Sequence, residues 1–212
     1  MDLIGRIRAA VEPLFARQRG SHDWEHTLRV DRLCRRIGPL EGADPLVLRL
    51  AACLHDIGRS RQDGCRGAVC HARQGADMAA AILAPHRLPP DVEANVLHCI
   101  RAHRYRCGEA PQTIEAKVLF DADKLDAIGA VGVARAYLFA GEVGARLHNP
   151  DNAVDDTVPY TRDDTGFREY RLKLRHIKDR MLTAEGRRLA AARHRVMVDF
   201  FERFVAEIEG HC

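Results

Sequence analysis

The sequence predicts an all-α fold, a compact single-domain bundle of about eight helices. Three observations carry this. Nearly every segment repeats its apolar residues at helical rather than alternating spacing, Gly and Pro punctuate the chain at helix-length intervals, and no run reads as a strand. The 212 residues, 46% of them hydrophobic and 30% charged, suffice for a real core and are globular in composition.

The first helix is expected from Asp2 to about Gln18, ended by Arg19-Gly20-Ser21, and the second from about His22 to Ile37, stopped by Gly38-Pro39. Asp44-Pro45 opens a third, an N-cap followed by a proline whose missing N–H costs nothing at N1, and it runs to near Gly58. After a loop over 64–70, a fourth helix spans His71 to about Ala84, and Pro89-Pro90-Asp91 opens a fifth that ends near Tyr105. Thr113 caps a long sixth through DADKLDAIGAVGVARAYLFAG, with a kink at Gly129 or Gly132. Residues 141–166, rich in Gly, Pro, Asn and Asp, form a loop, followed by helices over Phe167–Met181 and Thr183–Glu209.

Composition narrows the function. A net charge of +3 does not point to nucleic acid or a membrane as partner. No apolar run reaches the ~20 residues that cross a bilayer. Seven cysteines without a CxxC pair, and no secretory leader pattern, predict a reduced, cytoplasmic protein.

Histidine is the unusual component: seven of the eleven lie between His22 and His103. Positions i, i+4, i+7 and i+11 share a helix face. His26, Val30, Leu33 and Ile37 make such a stripe, as do His71, Gly75, Met78 and Ile82, and Val92, Val96, Cys99 and His103. His98 projects elsewhere. In the third helix, apolar almost all round, His55 lies over Leu48, Ala51 and Ala52, with Asp56 about 100° further round. Four helices aiming imidazoles inward beside a carboxylate call for a shared divalent cation. Among later carboxylates, Asp123 and Asp126 share a face while Asp121 and Asp123 are about 200° apart. Periodicity leaves that choice open.

These residues resemble the HD superfamily of metal-dependent phosphohydrolases, whose signature is a first histidine, an adjacent His-Asp pair and a later aspartate on separate helices. The matches are His26 in DWEHTLRV, His55-Asp56 in CLHDIGR and Asp123 in ADKLDA. The resemblance covers roughly His22 to Gly141, and the tail with FREYRLKLRHIKDRM is similar to small stand-alone bacterial HD hydrolases. It implies His26, His55, Asp56 and Asp123 as ligands of one divalent transition metal (Mn, Fe, Co, Ni or Zn), and favours Asp123 over Asp121. His71 and His103 match positions where some HD families hold a second ion. Arg59 stands where nucleoside-monophosphate phosphatases of the superfamily carry glutamate, which argues against a simple 5′-nucleotidase.

The implied activity is phosphohydrolysis of a phosphorylated small molecule, a nucleotide, with pyrophosphate release from a nucleoside triphosphate as the specific expectation. His71 and His103 are candidates for proton transfer or for orienting water, and Lys124 for catalysis and phosphate contact. Arg59, Arg61, Arg104 and Arg106 are further phosphate candidates. Asp23 could assist or merely start its helix, Trp24 and Tyr105 could stack on a base, and Arg135 and Tyr137 could line the cleft. The 141–166 loop, with Tyr160 and Arg162, could cover its entrance. The alternatives are a catalytically silent HD domain that binds a nucleotide as regulator, a two-metal HD phosphodiesterase or oxygenase, and a structural zinc on Cys65, Cys70, Cys99 and Cys107.

Overall fold

The computed structural model describes residues 2–16, 20, 23–59, 71–104 and 109–211, and every regular element among them is helical. Among the described residues there are nine α-helices with short 3₁₀ turns between some of them, one more than the sequence predicts because the long sixth helix divides. The chain forms two compact units, Met1–Asp123 and Lys124–Cys212.

In the first unit, α1 (Leu3–Val11) starts where the Asp2 carboxylate accepts the Gly5 N–H at 2.7 Å. Pro13 then turns the expected continuation into a 3₁₀ turn, Glu12–Phe15, since it offers no N–H for the helical ladder. Helix α2 (Trp24–Glu41) outruns its predicted stop and carries Pro39 within it. Its end falls instead at Gly42, whose φ of 72° is the left-handed geometry a helix C-cap requires. Gly38 serves packing rather than termination: a Cβ there would lie 2.4 Å from Leu48 Cδ1.

Helix α3 (Pro45–Leu54) begins as predicted, with Asp44 accepting the N–H groups of Leu46 and Val47. Leu48, Leu50, Ala51, Ala52 and Leu54 are all buried, so α3 is the central rod of this unit. Each buried leucine contributes about 1.5–3 kcal/mol relative to exposure. Helix α4 (His71–Leu83) buries a face turned one residue from the predicted stripe: Ala72, Ala76, Ala79 and Leu83 are inside, while Met78 and Ile82 are half-exposed. Small side chains let its backbone come close to its neighbours. Helix α5 (Pro90–Ala102) and α6 (Ile114–Leu125) are tied to the start of α3 by buried Glu115, which accepts from the Asp44 N–H at 2.8 Å and from Asn95 Nδ2 at 3.0 Å.

In the second unit, the predicted kink is a full break. Gly129 adopts φ +76°, and a Cβ on Gly132 would sit 2.3 Å from the Ala127 carbonyl oxygen, so the chain turns sharply into α7 (Gly129–Glu142). Arg135 holds the turn, donating to the Asp126 carboxylate at 3.0 Å and to its carbonyl at 3.1 Å. The segment before α8 (Gly166–Leu172) is pinned by buried polar contacts: Asn149 accepts from the Thr165 hydroxyl, and Arg168 donates to the Thr157 carbonyl and the Asp164 carboxylate. The predicted helix past Leu172 continues only as a 3₁₀ stretch, Leu174–Arg180. Thr183 caps the final helix α9 (Ala184–Ile208) through the Gly186 N–H. Phe201 centres an aromatic core, stacked on Tyr170 at 4.1 Å and neighbouring Phe167 and Tyr137. No helix among the described residues is long and apolar enough to cross a membrane.

Candidate metal centre

Two helix ends fix the orientation of two imidazoles. His55 is the C-cap of α3 and His103 the C-cap of α5. The last carbonyls of a helix lack intrahelical donors, and each histidine supplies one. His55 Nδ1–H donates to Ala52 O at 2.8 Å, and His103 Nδ1–H donates to Ile100 O at 2.6 Å. A carbonyl can only accept, so in both rings Nδ1 carries a proton, and the neutral tautomer presents a lone pair at Nε2.

Those lone pairs face other ring nitrogens. His55 Nε2 lies 3.4 Å from His26 Nε2, and His103 Nε2 lies 3.1 Å from His71 Nε2. Asp123 Oδ1 is 3.4 Å from His26 Nε2. Asp56 stands between the two pairs. Its Oδ2 faces His26 at 3.7 Å and His55 at 3.8 Å, while its Oδ1 faces both His71 and His103 at 3.5 Å. The geometry thus forms two ligand groups, His26–His55–Asp123 and Asp56–His71–His103, each compact enough to hold a metal ion. A divalent cation fits this set: nitrogen lone pairs and carboxylate oxygens converge in a spot where five of the six residues are buried.

Electrostatics agree with ligand chemistry. Burial pushes His55 down to about 4 against the raising field of Asp56, and burial pushes His71 down to about 2, helped by Arg59 and Arg104. Both are therefore neutral near pH 7, the state a metal requires. Burial alone would raise the Asp56 carboxyl, but Arg59 and the surrounding imidazoles hold it well below the usual carboxylate range. Arg59 reaches Asp56 Oδ2 at 3.3 Å, so its guanidinium is already paired with this buried carboxylate.

The remaining sequence candidates divide. Asp23 is the N-cap of α2, accepting the His26 N–H at 2.9 Å, and so fixes the start of the helix that carries His26 rather than joining the cluster. Trp24 packs on Phe15 with ring centroids 5.3 Å apart. His98 bridges Glu109 and the Gln112 N–H, outside the cluster as expected. Of the alternative carboxylates, Asp126 is taken by Arg135 and Asp121 is fully buried. Tyr137 packs in the aromatic core with Phe200, Phe201 and Phe204, and Arg135 is engaged at the α7 turn. Lys124 is buried and Arg104 half-exposed. His22, Arg61, Cys65, Cys70, Tyr105, Arg106 and Cys107 lie outside the described residues. Cys99 is buried, with its thiol pushed by that burial up to about 12, which disfavours the thiolate a zinc site needs.

Two glycines escaped the sequence reading. A Cβ on Gly58 would lie 2.5 Å from the His71 carbonyl oxygen and 2.7 Å from the Gly75 amide nitrogen, and one on Gly75 would stand 3.5 Å from the His55 carbonyl oxygen. This backbone contact brings the start of α4 against the His55-Asp56 turn and so sets His71 beside Asp56. The signal was present, since Gly58 follows the His-Asp pair by two residues, but it reads equally well as a helix stop.

The chain as a whole is similar to known proteins. A family model for the HD domain matches residues 23–128. The chain is 32% identical over 210 residues to the uncharacterized protein YpgQ of Bacillus subtilis (strain 168), spanning 97% of this chain and 93% of YpgQ. The crystal structure of Bacillus subtilis YpgQ in complex with ADP is similar with a TM-score of 0.75 at 29% identity, covering 96% of this chain and 94% of that one. An HD-superfamily hydrolase from Bacillus thuringiensis matches with a TM-score of 0.74 at 28% identity, covering 97% and 96% of the two chains. The match to the HD-domain model over half of the chain and the likeness to YpgQ over nearly all of it show that this chain belongs to the HD-domain family.

Proposed function

We propose that this chain is a divalent-metal-dependent phosphohydrolase acting on a nucleotide, and that it releases pyrophosphate from a nucleoside triphosphate. The observation that carries the reading is the convergence of four imidazoles on Asp56, with Asp123 beside His26 and with two of the imidazoles oriented by backbone carbonyls so that Nε2 faces the cluster. Support for a nucleotide comes from YpgQ, whose crystal structure holds ADP. The solved relatives that are named as HD-superfamily hydrolases support hydrolysis.

In this reading His26, His55, Asp56 and Asp123 hold one divalent transition metal. When bound, the metal supplies a lowered pKa to water and polarises a phosphoryl oxygen. Asp23, Ala52 and Arg59 keep the ligands in place. His71 and His103, on the far oxygen of Asp56, hold or move a proton at the attacking water. Lys124, together with Arg59, Arg61 and Arg104, neutralises phosphate charge. Water adds at the α-phosphorus, the bond to the bridging oxygen breaks, and a nucleoside monophosphate and pyrophosphate leave. The protein works in the cytoplasm, where such substrates are abundant.

A second reading has one specific observation behind it. Both oxygens of Asp56 face a histidine pair, so the carboxylate can bridge two ions, the second on His71 and His103.

A nucleotide panel with Mn²⁺ added separates the outcomes. Pyrophosphate from nucleoside triphosphates, absent in Asp123→Asn, is the expected result. Metal-loaded protein that binds nucleotide without releasing phosphate or pyrophosphate would make this a regulatory domain.

A further inference from the structure

The basic segment FREYRLKLRHIKDRM has no part in the metal centre, yet it builds a cavity of its own. Its second half is the 3₁₀ stretch Leu174–Arg180. Three residues per turn stack positions i and i+3 in rows. Leu174 and Ile177 form the buried row, which leaves Arg175 and Lys178 one above the other on the next. Facing them, α9 offers His194 and Glu202, at i and i+8 on one side of the helix. With Tyr170 of α8 these residues line a cavity of about 370 Å³, a size typical of small-molecule sites. Every lining residue belongs to the second unit.

The cavity is positive at one end. Arg175 makes no ion pair among the described residues, and Lys178 meets only Asp179, at 4.0 Å. Glu202 stands two turns beyond His194, about 12 Å further along α9. The His194 ring makes no hydrogen bond among the described residues, and its Nδ1 is buried without a partner. Burial lowers the imidazole pKa, and Lys178 and Arg175 lower it further against the opposing charge of Asp179. Asp179 also lines the cavity, so the two cations stand against one carboxylate at this end, an excess of one positive charge.

We propose that this cavity binds a phosphate group, free or carried by a small molecule, on Arg175, Lys178 and His194. The guanidinium can grip two phosphate oxygens while the ammonium adds a point charge. The bound anion offsets the two cations, so His194 takes up a proton and donates to it.

NMR of the His194 ring in the full-length chain reads this cavity directly, with the signal assigned by its loss in His194→Gln. Inorganic phosphate and pyrophosphate should shift it saturably, with a Kd of about 1 mM, and should raise the pH at which it titrates. Chloride at the same ionic strength should do neither. Arg175→Gln/Lys178→Gln should bind at least about tenfold more weakly, with an unchanged melting curve because both positions are exposed. Ribose 5-phosphate binding more tightly than phosphate would assign the cavity to a phosphorylated molecule, and equal affinity would assign it to the free anion. A His194 signal unmoved by about 20 mM phosphate, moved as far by chloride, or moved equally in the double variant would overturn the proposal. Were the double variant to melt early, Arg175→Gln alone decides, with a loss of about threefold or more expected. Because the readout is His194 itself, a failure of the hydrolase reading leaves this test intact.

Discussion

The first unit and the second each hold a cluster of rings at similar spacing, built on opposite physics. In the first, neighbouring imidazoles of His26, His55, His71 and His103 have centroids 5.1–5.3 Å apart. In the second, Tyr137, Phe167, Tyr170 and Phe201 gather at 4.1–6.4 Å. The phenyl rings are stable by contact and water exclusion alone. The imidazoles are aimed at one another through nitrogen and at carboxylate oxygen, an arrangement that a cation completes. One cluster packs the second unit, and the other brings together groups that could hold a metal ion.

Mutation should pull these roles apart. His55→Ala is expected to abolish bound metal and lower hydrolysis by about 10³-fold or more, as removal of a metal ligand does, while the metal-free protein still folds. Phe201→Ala should show the reverse: a stability loss of about 3–5 kcal/mol in denaturant titration, with metal per folded chain unchanged. If Phe201→Ala lost metal while staying folded, the division would fail.

Gly58→Ala sharpens the contrast within the first unit. Its Cβ must push against the backbone of His71 and Gly75. The expected cost is about 1–3 kcal/mol, along with activity falling further than stability, because His71 moves away from Asp56. Equal metal affinity and turnover in a folded Gly58→Ala protein would mean that the close approach does not set the site.

Acid should act on the imidazole cluster and leave the aromatic one untouched. The folded-state values of His55 and His71 lie below the ordinary 6.5, so the unfolded chain takes up protons first. Stability of the metal-free protein is then fully present above pH 6.5 and falls as pH drops through 6.5 toward 4. Asp56, also held low, adds a loss below its ordinary 3.8. The smallest effect expected is a shallower slope between pH 6.5 and 4 in a His55→Ala/His71→Ala variant, read from thermal melts, with His194, also held low, keeping part of it. An unchanged slope would assign the acid sensitivity to other groups.

Much of this was legible in the chain. Helical periodicity found the helices, and the end-of-stripe histidines found the site, because burying an imidazole is costly enough to leave a pattern in sequence. What was not legible depends on backbone contact. Pro39 lies inside α2 because Gly42 supplies the left-handed cap three residues later, and the long sixth helix breaks because Gly129 takes φ +76°. Periodicity left Asp121, Asp123 and Asp126 open and only the family resemblance favoured Asp123; in the structure Asp123 lies 3.4 Å from His26, whereas Asp126 pairs with Arg135. The bridging position of Asp56 was also hidden, since it depends on how closely Gly58 lets α4 approach.

The most direct test is to titrate metal-free wild type and His55→Ala with Mn²⁺, measuring bound metal per chain and the melting temperature together. The wild type should bind one or two ions and melt higher, by about 3 kcal/mol of added stability at a hundredfold excess over the dissociation constant, and His55→Ala should do neither. A folded wild type that binds no metal, or a His55→Ala protein that binds and is stabilised equally, would contradict the claim that these histidines converge in order to hold a cation.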